Sequence, residues 1–310
     1  MNYIREPLMK PERESKRVLS LTQAKAKMIE YHVPNELQNV NFDKNPSKLF
    51  TLTIGLLGDY VYKFNQPNTT NDELIEIENN LKFSARFFDS YVQSGLDNTT
   101  DIYLILIGSA TYYLCDLPGH SLVMINKIKE RLLNLDAQGL ENLLFWLLKP
   151  DSLIEYTEKD NAYIRIIVES FYMFTQNGED ENGILNILNA FREVFYSNGT
   201  TPRCLLFADI ISAIIKKKIT KSCWKTLPIY SKLDVSYWRS TIQKIGFIKE
   251  LWPSQHLIGE KGVFSGKSAV IQMPTSAGKT KANEIIIRSA FLSERTSMAV
   301  IIAPFRALCH

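Results

Sequence analysis

Residues Met273–Thr280 read MPTSAGKT and lie between an apolar run and a helical pattern. These residue types at this spacing suit the holding of a polyphosphate. Gly278 lets the backbone approach an anion closely. Lys279 can set its ammonium against the β- and γ-phosphates, and the Thr280 hydroxyl can ligate a magnesium ion. The backbone through Thr275, Ser276, Ala277 and Gly278, with the positive end of the following helix, would face the anion with its N–H groups. Met273 stands where GxxxxGK[ST] begins with glycine. A bare Gly-Lys-Thr also opens ordinary helices, so the reading rests on strand, loop length, helix and Gly-Lys-Thr coinciding.

The elements that must position this loop follow from periodicity. Lys267–Met273 (KSAVIQM) is a short apolar run after a glycine and predicts a buried strand. Gly278–Phe291 predicts a helix, and Ser297–Ala303 (SMAVIIA), closed by Pro304, predicts a second buried strand. Strand, helix and strand with near-continuous apolar strands point to a parallel sheet covered on both faces. Residues 251–310 carry seven Lys or Arg against three Asp or Glu, so the chain's net charge of +3 is concentrated near the loop.

The octapeptide resembles motif I of superfamily 2 helicases, and its Pro-Thr-Ser form is most similar to the Ski2-like branch that includes the Hel308 type. Leu251-Trp252-Pro253-Ser254-Gln255 resembles the Q motif of that family, with Gln255 24 residues ahead of Lys279. Ala303-Pro304-Phe305-Arg306-Ala307-Leu308 resembles motif Ia, and Glu284 matches a glutamate common in the helix after motif I. The resemblance covers residues 247–310. It implies ATP and Mg²⁺ as cofactors, Lys279 and Thr280 as catalytic residues, and Trp252 and Gln255 in adenine recognition. It also implies Pro304, Arg306 and Ala307 as backbone contacts to DNA or RNA. Taken alone, Gln255 suits a surface position on an amphipathic helix, and Arg306 suits a cap or an ion pair.

Upstream of this region the periodicity is helical. Leu74, Ile77, Leu81, Ala85, Phe88 and Val92 recur at spacings of three and four between a cap at Asn71 and a stop at Gly95. Further helices are expected near 48–64, 101–115, 121–134, 138–149, 161–175, 184–196 and 204–218. Turn residues mark the joints at Pro118-Gly119, Pro150-Asp151, Asn177-Gly178 and Asn198-Gly199. The expected organisation is a polar N-terminal arm over 1–47, an all-helical accessory or partner-binding domain over 48–248, and the start of an α/β RecA-like helicase lobe over 249–310. Trp146, within Leu143–Leu148, is a core residue on this reading. Lys216, Lys217, Lys218, Lys221 and Lys225 beside Trp224 fit a solvated helix end or a nucleic-acid contact. Glu179-Asp180-Glu181 fits a solvated turn.

Apolar residues make up 45% and charged residues 22%, which suits a globular protein with a real core. Cys115, Cys204, Cys223 and Cys309 form no CxxC or Cys/His cluster, so neither a disulfide framework nor a zinc site is expected, and a reducing, cytoplasmic setting is. The N-terminus lacks a signal-peptide pattern and no apolar run is long enough for a bilayer, so no membrane association is expected.

Two functions are consistent with these features. One is the N-terminal portion of an ATP-dependent helicase or translocase, truncated after motif Ia, without motif II or a second lobe, and inactive by itself. The other is a helical protein-interaction scaffold that docks a partner, such as a nuclease, independently of nucleotide. A helical region ahead of a Ski2-like motor also resembles the layout of Hachiman-type anti-phage helicases, which implies a protein partner and a role in antiviral defence.

Overall fold

The computed structural model describes residues 47–302 apart from 94–100, 130–132, 150–151, 153, 155–160 and 275–276, together with Ala24, Met28, Tyr31, Val33 and Pro34. The polar arm expected over 1–47 lies almost wholly outside the described residues, as does the Pro150-Asp151 joint. The chain divides into two compact units, residues 1–171 with 182–217, and residues 172–181 with 218–310.

The helices of the described residues are α1 (Ser47–Phe64), α2 (Asn71–Gln93), α3 (Ile102–Leu114), α4 (Pro118–Ile125), α5 (Leu140–Leu148), α6 (Ala162–Asn177), α7 (Glu181–Ser197), α8 (Pro202–Thr220), α9 (Cys223–Ser231), α10 (Val235–Ile242), α11 (Pro253–Glu260) and α12 (Lys279–Leu292). The chain is thus mostly helical, as its apolar periodicity predicts. The N-terminus of α2 is capped from Thr70 rather than Asn71. Thr70 N–H donates to the Glu73 carboxylate at 3.0 Å, and Glu73 N–H returns to the Thr70 hydroxyl at 3.3 Å. The helix expected over 121–134 ends at Ile125, because another partner holds the chain beyond it. The Asn142 side-chain amide accepts from Leu133 N–H at 2.7 Å and donates to Leu133 C=O at 3.1 Å. This gives the Leu133 backbone the two bonds that a helix would have supplied.

In the first unit α3 is buried nearly all round, from Leu104 to Leu114. Gly108 permits this, since a Cβ there would stand 2.7 Å from Met124 Sδ and 3.0 Å from Phe88 Cβ. Charged groups in the unit's interior meet partners at two places. Arg192 Nε meets Asp209 Oδ1 at 2.6 Å and the Tyr196 hydroxyl donates to Asp209 Oδ2 at 2.6 Å, joining α7 to α8. Lys217 is buried, donates to Leu114 C=O at 2.5 Å and pairs with Asp116 at 2.8 Å. Trp146 is half-buried and edge-on to Phe171, at 6.2 Å and 86°.

The second unit packs α9–α12 around Cys223, Leu227, Trp238, Ile242, Phe247, Leu251, Ile258, Phe264, Met273 and Ile285. Trp238 is fully buried and its indole N–H donates to Ser231 Oγ at 2.9 Å. Trp224 packs on Gly178, whose φ of 73° and absent Cβ leave room for the ring, and it donates to Thr175 C=O at 3.0 Å. An antiparallel bridge between Ser222 and Glu250 fixes the approach to α11, with Cys223 N–H bonded to Lys249 C=O and Leu251 N–H bonded to Lys221 C=O.

The two strands expected at 267–273 and 297–303 are not formed in the described residues, and the first six residues of one and all described residues of the other are exposed. Val270 is fully exposed and Ile302 is 91% exposed. A strand of a parallel sheet is buried only when neighbours supply both hydrogen-bonding edges and helices cover both faces. Among the described residues no such neighbour pairs with either segment, so apolar composition alone leaves them unpaired and exposed. Met273 is the exception, buried in the core of the second unit. A RecA-like sheet is therefore absent from the described residues, and α12 is the part of the expected strand–helix–strand unit that forms.

Candidate functional site

Helix α11 begins with Trp252 as its N-cap and Pro253 at its first position, where a missing N–H costs nothing. Gln255 occupies the third position and is 2% exposed. Its Oε1 accepts from Trp252 N–H at 2.8 Å, closing the helix start, and its Nε2 donates to Gly278 C=O at 3.2 Å. One residue earlier, the Ser254 hydroxyl donates to Ala277 C=O at 2.7 Å. Two adjacent side chains of α11 therefore hold two adjacent carbonyls of the glycine-containing loop.

This tethering has a directional consequence. No peptide among the described residues is cis, and across a trans peptide the C=O and N–H point in opposite directions. With the carbonyls of Ala277 and Gly278 turned onto α11, the N–H groups of Gly278 and Lys279 face away from it. Gly278 is the N-cap of α12 with φ of 86°, a left-handed conformation that glycine adopts without strain. A Cβ there would stand 2.7 Å from Gln255 Nε2 and 3.7 Å from the Trp252 ring. Gly278 C=O also accepts from Ala282 N–H at 3.0 Å, which starts the helical ladder. Lys279 and Thr280 are exposed on the first turn of α12, where backbone N–H groups lack helical acceptors.

Helix α12 is docked firmly beneath that turn. Ala282, Ile285 and Ser289 are buried, and Ser289 donates to Phe264 C=O. Glu284 accepts from Arg288 Nε at 3.0 Å and from Lys281 at 3.2 Å, while Lys281 reaches Gly246 C=O at 3.1 Å. Burial alone would raise the Glu284 carboxyl, but the bonds from Arg288 and Lys281 outweigh it and hold the group below the usual carboxylate range.

Of the residues singled out in the sequence, Trp252, Gln255, Ala277, Gly278, Lys279 and Thr280 come together here. Thr275, Ser276, Pro304, Arg306 and Ala307 lie outside the described residues. Gln255 has its amide turned inward onto the loop rather than outward as an adenine edge would require. Ser254 was missed by sequence reasoning, although a hydroxyl at the second position of a proline-led helix is a usable signal. The lysine cluster beside Trp224 resolves into internal partners: Lys218 pairs with Glu250 at 2.9 Å, Lys225 pairs with Glu181 at 2.8 Å, and Trp224 is buried. Glu179 and Glu181 of the expected solvated turn pair with Arg239 and Lys225. Among the described residues no group of three His, Cys, Asp or Glu side chains is placed to hold a metal ion, and no helix is long and apolar enough to cross a membrane.

Comparison with known proteins agrees with the motif reading. The DEAD/DEAH box helicase family model matches residues 253–310. The chain is 23% identical over 242 residues to the Hachiman protein HamB of Bacillus cereus, an alignment covering 71% of this chain and 21% of HamB. It is 41% identical over 63 residues to the ATP-dependent DNA helicase Hel308 of Thermococcus kodakarensis, covering 20% of this chain and 6% of Hel308. The chain thus spans about a fifth of one relative's length and far less of the other's. No solved structure matches. The chain is superfamily 2 helicase-like, and its helicase family match is to residues 253–310.

Proposed function

We propose that this chain supplies the ATP-binding front of a superfamily 2 helicase or translocase motor. The observation that carries the reading is the double tether from Ser254 and Gln255 to the carbonyls of Ala277 and Gly278. It pre-organises outward-facing N–H groups at the start of α12, where the helix dipole favours a negative charge. A Cβ at Gly278 would spoil that cradle, so the residues fit a polyphosphate. Lys279 would pair with the β/γ-phosphates and Thr280 would ligate Mg²⁺, with Thr275, Ser276 and Ala277 completing the loop. Bound Mg²⁺ would neutralise charge developing on the transferred phosphoryl group. Trp252 packs beside Gly278 and belongs to the base side of the same site. Gln255 acts in this site as a positioning residue, its amide held between Trp252 N–H and Gly278 C=O.

Movement on or unwinding of DNA or RNA is proposed for the whole protein, with Pro304, Arg306 and Ala307 as backbone contacts and the 249–310 segment as the beginning of a RecA-like lobe. A second reading has its own support. The alignment with HamB is far longer than the helicase segment, so it takes in much of the helical region. That favours a helical part serving as a docking scaffold for a protein partner, in a cytoplasmic antiviral defence system.

Titration of the 310-residue chain with a fluorescent ATP analogue and Mg²⁺ tests the nucleotide reading. Saturable binding displaced by ATP is expected, with loss of at least about tenfold in affinity for Lys279→Ala, which removes one charge-assisted phosphate contact. Equal binding by the wild type and Lys279→Ala would refute it.

A further inference from the structure

The second unit carries a separate basic cleft of about 690 Å³ at the far end of α11 from the loop. It is lined by Lys232, Lys261 and Lys267 against one carboxylate, Glu260, with Tyr230 and Ile229 on its wall. Lys232 is the C-cap of α9, held at φ of 59°, and Lys261 is the C-cap of α11. Lys267 follows the Gly262–Gly266 turn, and its stem passes 3.2 Å from where a Gly262 Cβ would stand. A side chain at Gly262 would press on the Lys267 stem and is strained by a φ of 80°.

Lysines at helix ends ordinarily answer the negative end of the dipole. Here no ammonium of the three makes a hydrogen bond or ion pair among the described residues, in contrast to Lys217, Lys218 and Lys225 of the same protein. Three exposed, unpartnered ammoniums against one carboxylate leave a local excess of two positive charges. The chemistry suits phosphodiester oxygens, which compact ammoniums contact as point charges, better than peptide carboxylates, which favour the bidentate fork of arginine. Ile229, 71% exposed, offers an apolar wall for a sugar or base face. The Tyr230 ring packs on Gly259 and its hydroxyl bonds His256 Nδ1, so it is not free to serve as a stacking platform.

We infer that Lys232, Lys261 and Lys267 form a sequence-independent contact to the nucleic-acid backbone, distinct from the nucleotide site and from Pro304–Ala307. The contact does not depend on the nucleotide reading. Fluorescence anisotropy of a labelled single-stranded oligonucleotide, with the 310-residue chain between 50 and 200 mM KCl, tests it. The triple variant Lys232→Gln, Lys261→Gln, Lys267→Gln is expected to lose about tenfold or more in affinity. Its log–log salt slope should flatten by about two, since each single-strand phosphate contact contributes roughly 0.7. A control triple variant, Lys127→Gln, Lys129→Gln, Lys244→Gln, should keep the wild-type slope, and circular dichroism should show both variants folded. An unchanged slope in the first triple variant would overturn the inference. So would displacement of the oligonucleotide by poly-glutamate at matched charge, which would assign the cleft to acidic peptide. A slope lost in Lys279→Ala but kept in the triple variant would also overturn it, while leaving the nucleotide site standing.

Discussion

Gln255 satisfies two backbone groups at once, the N–H of Trp252 and the C=O of Gly278, while itself buried. Truncation to alanine takes the acceptor from Trp252 N–H and removes one of the two bonds to Gly278 C=O, which keeps Ala282 N–H, and a buried polar group left without a partner costs about 1–3 kcal/mol. Gln255→Ala should therefore lower the urea midpoint of the chain and weaken nucleotide binding together. Gln255→Glu keeps the acceptor for Trp252 but cannot donate to Gly278 when ionised, so it should weaken nucleotide binding with a smaller stability loss. Equal nucleotide affinity in Gln255→Glu and wild type would show that the Gly278 bond does not position the loop. Gly278→Ala combines a disallowed-side φ with a clash against the Gln255 amide, and should cost more than about 1 kcal/mol at that one position. At this scale much was legible beforehand. Gly-Lys-Thr and a glutamine 24 residues upstream singled out residues that the fold brings together, though as expected ATP ligands rather than as partners of one another. The inward turn of Gln255 was not legible, since composition does not say which of two acceptors an amide will find.

The helices were readable because each has an apolar stripe that must be buried, and α3, too apolar to have a stripe, announces burial on all sides. The exceptions have local causes. Asn142 captures Leu133 and shortens α4, and that pairing spans nine residues in which no periodic signal changes. The strands over 267–273 and 297–303 failed for a different reason. Helices satisfy their own backbone, whereas a strand needs partners from elsewhere, so an apolar run is only half of its specification. Two element-scale predictions follow from pairing. Arg192→Met leaves the Asp209 carboxylate buried between α7 and α8 with only Tyr196 and should destabilise the first unit by about 3–5 kcal/mol, read by thermal or urea unfolding. Gly178→Ala drives a methyl into the Trp224 ring at a φ of 73° and should destabilise the second unit, visible as a shift in tryptophan emission at lower urea.

For the whole molecule, burial governs cysteine chemistry. Cys115, Cys204 and Cys223 are buried and unpaired, and burial pushes the Cys115 thiol up to about 12. These three thiols should resist iodoacetamide at pH 8 in the folded chain and react in urea, as peptide mapping would show. A raised thiol value stabilises the fold fully below its ordinary value near 9, and that contribution is lost as pH climbs from there towards about 12. Stability should accordingly fall across that alkaline window, less steeply in Cys115→Ala after allowance for the smaller side chain. The helical majority of the chain and the helicase-like segment were both legible from sequence, the first from periodicity and the second from ordered motifs. The role of the helical part was not, because packing residues carry no chemistry that identifies a partner. In the proposed site the carbonyls of Ala277 and Gly278, tethered to α11, aim the N–H groups at the start of α12 towards a nucleotide. Hydrogen–deuterium exchange of the wild-type chain with and without Mg²⁺ and ATP tests it most directly. Protection over residues 277–282 that vanishes in Lys279→Ala is the expected result, and no nucleotide-dependent protection there, or the same protection in Lys279→Ala, would contradict the account.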